Sequence, residues 1–164
     1  MDLFVWLEST GLAAWVRESP SLWGYPTVLF LHSLGMTIVV GLGFAIGLRM
    51  MGLAPQIPLE PLEKLFRFMW IGFWINAVSG MLLLIADATT KFANPIFYIK
   101  LACIAAAVVV TSLLRRKIYR SPAADKAPIT PNVKLLALGS IVFWIGAITA
   151  GRLMAYIGPV SGLE

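Results

Sequence analysis

Four ionisable side chains lie inside or at the rim of long apolar runs: His32, Asp87, Lys100 and Arg152. An ionisable group within a membrane span is costly, so each is a candidate functional residue. At about 1.5 Å of rise per helical residue, all four are predicted to lie in the same half of the membrane, near the starts or ends of their helices. Two cations meet one carboxylate beside a titratable imidazole. We therefore predict that one cation binds an anion or a dipole, such as a haem propionate, a quinone oxygen, a carboxylate or a lipid phosphate.

Haem b is the most specific cofactor hypothesis for this group. His32 is the only histidine and is the candidate metal ligand, with Gly35 and Gly43 on its side of the helix offering space for a flat macrocycle. Lys100 and Arg152 would hold the two propionates, and Asp87 would orient one of these two cations.

The second haem ligand would have to be a methionine. Met81 is the best placed by sequence, because Met36 follows the histidine on its own helix and is expected to point the wrong way. Met154 lies about 200° from Arg152 around its helix, so it is expected to face elsewhere. Five-coordinate haem is the other possibility. Copper is a weaker alternative, since the soft ligands that would suit Cu(I) have no motif spacing; these are His32, Met36, Met81 and Cys103.

A purely structural interpretation explains the same residues without a ligand. Asp87 would pair with Arg152, and Lys100 would extend its ammonium group to the membrane interface. The imidazole would hydrogen-bond Asn76 or Ser79 on the next helix.

The elements that must position these residues are predicted to be membrane-spanning helices. The 164-residue chain is 59% hydrophobic and only 13% charged, whereas soluble domains are about 45–50% apolar and about 25% charged. Four apolar runs reach the ~20 residues that a spanning helix needs. We predict an all-α fold, a four-transmembrane-helix bundle with an N-terminal interfacial amphipathic helix that breaks near Gly11. The predicted ranges are 1–19 for the interfacial helix and 20–164 for the membrane domain, with spans at about 26–51, 68–87, 95–114 and 135–157.

Small and polar residues recur at helical spacing in the first two spans. Such residues let helix backbones approach closely in lipid. In the first span they are Ser33, Thr37, Gly41 and Ala45, with Gly43 and Gly47 as a second pair. In the second span one face carries Gly72, Asn76, Ser79, Gly80, Leu83 and Asp87. We expect that second face to lie in the bundle interior.

Basic residues predict the orientation. Nine of the 13 lysines and arginines lie in the first and third loops and four on the other side. Since basic loops stay in the cytoplasm, both termini are predicted on the periplasmic side of a bacterial inner membrane. Tyr25, Tyr98 and Tyr156 fall at the outer ends of their spans, as expected of an interfacial aromatic belt.

These patterns favour a binding protein over an enzyme. The net charge of +5 records membrane topology here, so no nucleic-acid partner is expected. There is no hydrolase triad, P-loop or dinucleotide fingerprint, and we expect no catalytic activity of the chain's own. The leading hypothesis is a ligand or cofactor site in the outer half, used for haem- or quinone-linked electron transfer. The alternative is a structural or accessory subunit that packs against a membrane-protein partner or a second copy through its small-residue stripes.

Three segments carry a resemblance: LHSLGMTIVVGLGFAIGLRMMGL, NPIFYIKLA and AGRLMAYIG. Together they resemble an uncharacterised bacterial family of small four-helix inner-membrane proteins, and the overall plan is distantly similar to the copper-resistance D membrane proteins. The resemblance covers roughly residues 25–158 and supports the topology. The family often has an acid where this chain has Gly47, and a histidine where it has Arg115 and Arg116, which removes any two-histidine site. The matching positions are His32, Gly35, Arg49, Pro95, Lys100, Gly151, Arg152 and Tyr156.

Overall fold

The computed structural model describes residues 2–119 and 129–157, which form seven α-helices and contain no strand. Four helices are long and apolar enough to cross a membrane, which confirms the predicted all-α four-helix membrane bundle. The bounds are Asp2–Glu8 for α1, Gly11–Glu18 for α2, Tyr25–Met51 for α3, Glu60–Ala86 for α4, Ala88–Ala93 for α5, Pro95–Tyr119 for α6 and Pro131–Leu153 for α7.

Three of the long helices extend beyond one end of the apolar runs from which they were predicted, although α7 ends at Leu153 and not at the predicted 157. The second span was expected from residue 68, but α4 begins at Glu60, because Pro61 suits the first helical turn and two acidic residues there favour its positive end. The third span was expected to end at 114, yet α6 continues to Tyr119. Apolar runs mark the hydrocarbon core, and helices continue into the interface. Two basic residues of the third loop, Arg120 and Lys126, lie outside the described residues.

The predicted break in the N-terminal segment is present. α1 and α2 are separate helices, and the Thr10 hydroxyl caps α2 by accepting the backbone N–H of Ala13 at 3.3 Å. Ala13 and Val16 are fully buried, and α2 packs mainly on α4. The sequence did not predict α5, a six-residue helix in the second loop.

The four long helices form two hairpins. α3 packs along α4 and α6 along α7, while α3 and α7 join the two pairs, and α4 and α6 hardly touch. Gly35 allows the first contact, since a Cβ there would lie 2.6 Å from the Asn76 backbone nitrogen. Gly47 allows the α3–α7 contact, since its Cβ would lie 2.8 Å from Ile141 Cδ1.

The bundle is packed at one end and open at the other. We call the end where α3 and α6 finish and α4 and α7 begin the closed end, and the opposite end the open end. Most of the buried apolar core lies toward the closed end; its members are Val39, Ile46, Met50, Leu59, Leu62, Phe66, Met69, Ala107, Leu114, Ile118, Ala137, Trp144 and Ala147. Interior side chains at the open end therefore have fewer apolar neighbours.

Of the two small-residue rows of α3, the one from Ser33 to Ala45 does not pack within the bundle. Every member of that row is exposed, and a Cβ on Gly41 would have no atom within 4 Å. α3 instead packs through Gly35, Gly43 and Gly47, which are buried. The expected inward face of α4 is confirmed for Gly72, which packs against Ile38.

Candidate functional site

A cavity of about 1040 Å³ occupies the open end. Its size is at the top of the range of about 300–1,000 Å³ that is usual for small-molecule sites. Apolar side chains from four helices form much of its wall: Leu29, Val40, Leu83, Leu84, Phe97 and Ile148. An apolar wall of this extent suits a ligand with a substantial apolar body.

The four predicted ionisable residues all line this cavity: His32, Asp87, Lys100 and Arg152. They come from α3, the α4–α5 junction, α6 and α7. The helix arrangement therefore brings together residues up to 120 positions apart, since 152 − 32 = 120. Their common half of the bundle was readable from the sequence, because each could be counted from its helix end.

His32 is fixed against α4 by a paired contact with Asn76. Its Nδ1 lies 3.0 Å from the Asn76 backbone oxygen, and the Asn76 side-chain amide donates to the His32 backbone oxygen at 2.7 Å. Because a carbonyl oxygen only accepts, Nδ1 carries the proton and donates. The Ser79 hydroxyl lies 3.3 Å from the same Nδ1. Nε2 makes no hydrogen bond with the described part of the chain, so it can accept a proton or bind a metal.

Gly80 makes room for the imidazole. A Cβ at this position would lie 2.9 Å from His32 Cε1 and 3.2 Å from its Nδ1. The ring therefore lies directly over the α4 backbone, in a position that only glycine at this site permits.

Lys100 and Arg152 are cations without a described partner. Lys100 is half-buried, and its side chain crosses Gly151, whose added Cβ would lie 3.6 Å from Lys100 Cε. Lys100 and His32 line the same cavity. Among residues 2–119 and 129–157, the ion pairs are Arg17–Glu18, Lys91–Asp87 and Arg115–Glu63, so neither cavity cation is neutralised there.

The structural interpretation expected Asp87 to pair with Arg152, but the structure shows a different partner. Its carboxylate pairs with Lys91, one turn further on in α5, at 2.9 Å. The unpredicted helix α5 supplies this partner. Residues four apart on a helix lie side by side, so Lys91 of α5 pairs with the Asp87 carboxylate. Because α5 was not predicted from the sequence, that carboxylate had been left free to pair with Arg152 of α7.

Two further charged residues of the cavity wall come from the N-terminal helices. The Glu8 carboxylate accepts the backbone N–H and the hydroxyl of Thr89, both at 2.7 Å. Arg17 donates to the Ala86 backbone oxygen at 3.2 Å and pairs with Glu18. The hydrogen bond to Glu18 raises the pKa of Arg17 above its usual value, so the guanidinium stays charged. These contacts fasten α1 and α2 over the α4–α5 junction.

The cavity wall has an excess of positive charge. It carries four cations, Arg17, Lys91, Lys100 and Arg152, against the carboxylates of Glu8 and Asp87. With a neutral histidine, and with Glu18 counted because it pairs with Arg17, the sum is 4 − 3 = +1. The excess resides on the two cations that have no described partner, which is the electrostatic condition for binding an anion.

Two of the methionines do not lie where the sequence placed them. Met81, the predicted second haem ligand, is 66% exposed on another face of α4, because Gly80 occupies the face toward His32 and the next residue turns about 100° away. Met154, which was expected to face elsewhere, lines the cavity. Met36 also lines it, but on the same helix as His32 and therefore not opposite the histidine.

The expected macrocycle space beside Gly35 is also absent, because the α4 backbone fills it. Gly43 faces the Trp144 ring at 3.5 Å. The predicted copper set is dispersed, since Cys103 Sγ packs on Gly146 at the α6–α7 contact. Within the described ranges, no group of three or more His, Cys, Asp or Glu residues could hold a metal ion.

No protein-family model, curated protein or solved structure matches the chain. The resemblance to a family of small inner-membrane proteins therefore stays a prediction. Four apolar helices make this an integral membrane protein in contact with the lipid bilayer, and the open-end cavity is the feature from which its function can be inferred.

Proposed function

We propose that the protein binds an anionic amphiphile in the open-end cavity, with Lys100 and Arg152 holding the anionic group. The observation that carries this proposal is that both cations line one cavity and neither pairs with any residue in the described ranges. Lys100 is half-buried, whereas Arg152 is exposed near the end of α7; a cation taken partly out of water is costly unless an anion or dipole compensates it. A bound anion would supply that compensation.

The size and lining of the cavity favour an amphiphile over a small inorganic anion. A water molecule takes about 30 Å³ of liquid volume, so a simple phosphate would leave most of a cavity of about 1040 Å³ unfilled. The leucine, valine, isoleucine and phenylalanine walls would remain in contact with water. Burial of apolar surface contributes about 25 cal/mol per Å², so a ligand with an apolar body binds more favourably.

Haem-linked electron transfer is a second candidate, and the hydrogen bonding of the His32 imidazole favours it. Its Nδ1 donates to the Asn76 carbonyl, a partner that orients a metal-binding histidine and leaves Nε2 available. Lys100 and Arg152 suit two propionates, and Met154 on the cavity wall replaces Met81 as the methionine candidate. Haem b would supply a one-electron centre, while this chain would hold and orient it. A quinone oxygen would accept a hydrogen bond from either cation.

The accessory-subunit alternative rests on the exposed stripe of α3, from Ser33 to Ala45. In lipid, such a stripe favours close packing against another helix, either of a partner or of a second copy. Under each alternative we propose an inner-membrane location with the open end toward the periplasm, because most basic residues lie at the other end.

Isothermal titration of the purified protein in uncharged maltoside micelles tests the proposal. Dodecyl phosphate is expected to bind, and dodecyl phosphocholine, whose net charge is zero, is expected to bind much more weakly. Lys100→Gln and Arg152→Gln should each weaken dodecyl phosphate binding by about 10- to 100-fold, since a hydrogen bond to a charged group contributes about 1.5–3 kcal/mol. Lys64→Gln, an exposed lysine at the closed end, is the matched control.

Equal binding of both detergents, or unchanged binding in both variants, would refute the anion site. The haem candidate has its own measurement. The purified protein, or the protein titrated with haemin, should show a Soret band that His32→Ala shifts or abolishes. A protein without a Soret band under either condition excludes that candidate.

A further inference from the structure

The cavity has an opening between α3 and α7. These helices touch in the closed half, where Gly43 meets Trp144 and Gly47 meets Ile141. Further toward the open end, Thr37 and Gly41 of α3 and Ile148 of α7 line the cavity and are also exposed. A Cβ on Gly41 would meet nothing within 4 Å, so this face of α3 is open where it lines the cavity.

The end of the cavity beyond the hydrocarbon region is covered by other elements. α1 and α2 lie across the α4–α5 junction, held by the Glu8–Thr89 and Arg17–Ala86 contacts. The side between α3 and α7 has no such cover from the described helices. It lies within the membrane-spanning part of both helices, so it faces the bilayer.

The depth of the cations matches that of a lipid headgroup. α6 has 25 residues and is therefore about 38 Å long, close to the 40–45 Å of a whole bilayer with its headgroups. Lys100 lies five residues from the start of α6, or about 7–8 Å from its end. Arg152 is one residue from the end of α7. Both cations thus lie near the boundary between headgroups and hydrocarbon.

We propose that an anionic phospholipid of the surrounding membrane enters the cavity sideways, between α3 and α7. This inference rests on the proposed function and names the ligand's class and route. The lipid phosphate binds Lys100 and Arg152, and its acyl chains lie in the α3–α7 portal, which we define as Ser33, Thr37, Gly41 and Ile148. Charge complementarity identifies the occupant, because the wall has an excess of cations at phosphate depth and an apolar surface below.

The test uses full-length protein in nanodiscs made of equal parts of phosphatidylglycerol and phosphatidylcholine, with retained lipid counted by native mass spectrometry. The wild type is expected to retain phosphatidylglycerol preferentially. Gly41→Phe places a ring in the portal where there is free space, and should lower that retention about tenfold or more. Ala45→Phe is the matched control, since Ala45 is exposed one turn further along α3 and does not line the cavity. Ile148→Trp blocks the portal from the α7 side and serves if Gly41→Phe fails to fold.

The outcomes separate this inference from the proposed function. Retention that both portal variants leave unchanged, but that Lys100→Gln and Arg152→Gln remove, overturns the portal and leaves the anion site standing. A wild type that retains no phosphatidylglycerol but binds dodecyl phosphate in micelles overturns the lipid source alone. A dimer disrupted by both phenylalanine variants would make this face a self-interface and also overturn the portal. Failure to bind either probe contradicts the proposed function itself.

Discussion

Gly35→Ala is expected to destabilise the bundle far more than an added methyl group normally does. The new Cβ would lie 2.6 Å from the Asn76 backbone nitrogen and 2.7 Å from the Gly72 backbone oxygen. Both atoms belong to the α4 backbone, so neither can rotate away as a side chain would. Ordinary contact begins near 3.4 Å, and the two helices must therefore separate by about 3.4 − 2.6 = 0.8 Å.

The magnitude follows from two contributions. Overpacking in a well-packed interior costs about 1–3 kcal/mol, and an immovable backbone places this site at the upper end. Moving α4 by that distance also lengthens the Asn76–His32 pair, whose two bonds are 2.7 and 3.0 Å long. Each hydrogen bond contributes about 0.5–1.5 kcal/mol. The free energy of unfolding should therefore fall by about 4–6 kcal/mol.

Far-ultraviolet circular dichroism during SDS titration of maltoside-solubilised protein measures this change. Gly41→Ala is the control, because it is the same substitution on the same helix with nothing within 4 Å of the new Cβ. It should be neutral or stabilising by up to about 1 kcal/mol, the helix-propensity difference between alanine and glycine. Equal unfolding free energies for the two variants would refute the close α3–α4 packing that positions His32.

Three further substitutions test other parts of the structure. Asn76→Ala removes the 2.7 Å bond to the His32 backbone oxygen and should cost about 0.5–1.5 kcal/mol in the same titration; no change would mean that this bond does not fix His32. Glu8→Ala removes the acceptor for Thr89, so hydrogen exchange of the Thr89 amide should accelerate, whereas Glu8→Gln, which keeps an acceptor, should have a smaller effect. Trp144→Phe removes a buried indole N–H that has no partner in the described ranges. Because such a group costs about 1–3 kcal/mol, the lost packing should be largely offset, and a loss above about 3 kcal/mol would contradict that reasoning.

The common location of the four ionisable residues was predictable because it depends on helix position alone. Spans are set by apolar length, and depth follows from the rise per residue. The partner of Asp87 was not predictable in this way. It depends on α5, a six-residue helix too short to give a periodic pattern, and on Lys91 lying one turn into it. The contact of Glu8 with Thr89 joins residues 81 positions apart, for which neither segment carries a local signal.

The predictions for Met81 and Met154 were wrong, whereas Met36 stays on the helix of His32 and cannot oppose it. Met154 keeps helical backbone angles just beyond Leu153, so its rotation from Arg152 holds, but the cavity is wide enough to reach both residues at the end of α7. Met36 lies one turn from His32, and a cavity this wide has both residues on its wall. For Met81 the error was one residue of helical phase, since Gly80 faces the histidine.

α3 shows why a small-residue stripe alone does not identify the packed face. Ser33, Thr37, Gly41 and Ala45 form one i+4 row, and Gly35, Val39, Gly43 and Gly47 form another, two residues or about 200° away. Both rows permit close approach by composition. The second row is the buried one, because glycine permits the closest backbone contact and α4 presents Gly72 opposite Gly35. That choice depends on the partner helix as well as on α3.

The most direct test of the central claim identifies what the protein carries from its native membrane. The chain would be purified in a mild uncharged detergent and its bound small molecules identified by mass spectrometry and absorption spectroscopy, alongside the Lys100→Gln/Arg152→Gln double variant and the Lys64→Gln control. We predict one anionic amphiphile for each wild-type and control chain and its loss from the double variant. A wild type that carries no anion, or a double variant that keeps the same ligand at the same stoichiometry, would contradict the assignment of the open-end cavity as an anion-binding site.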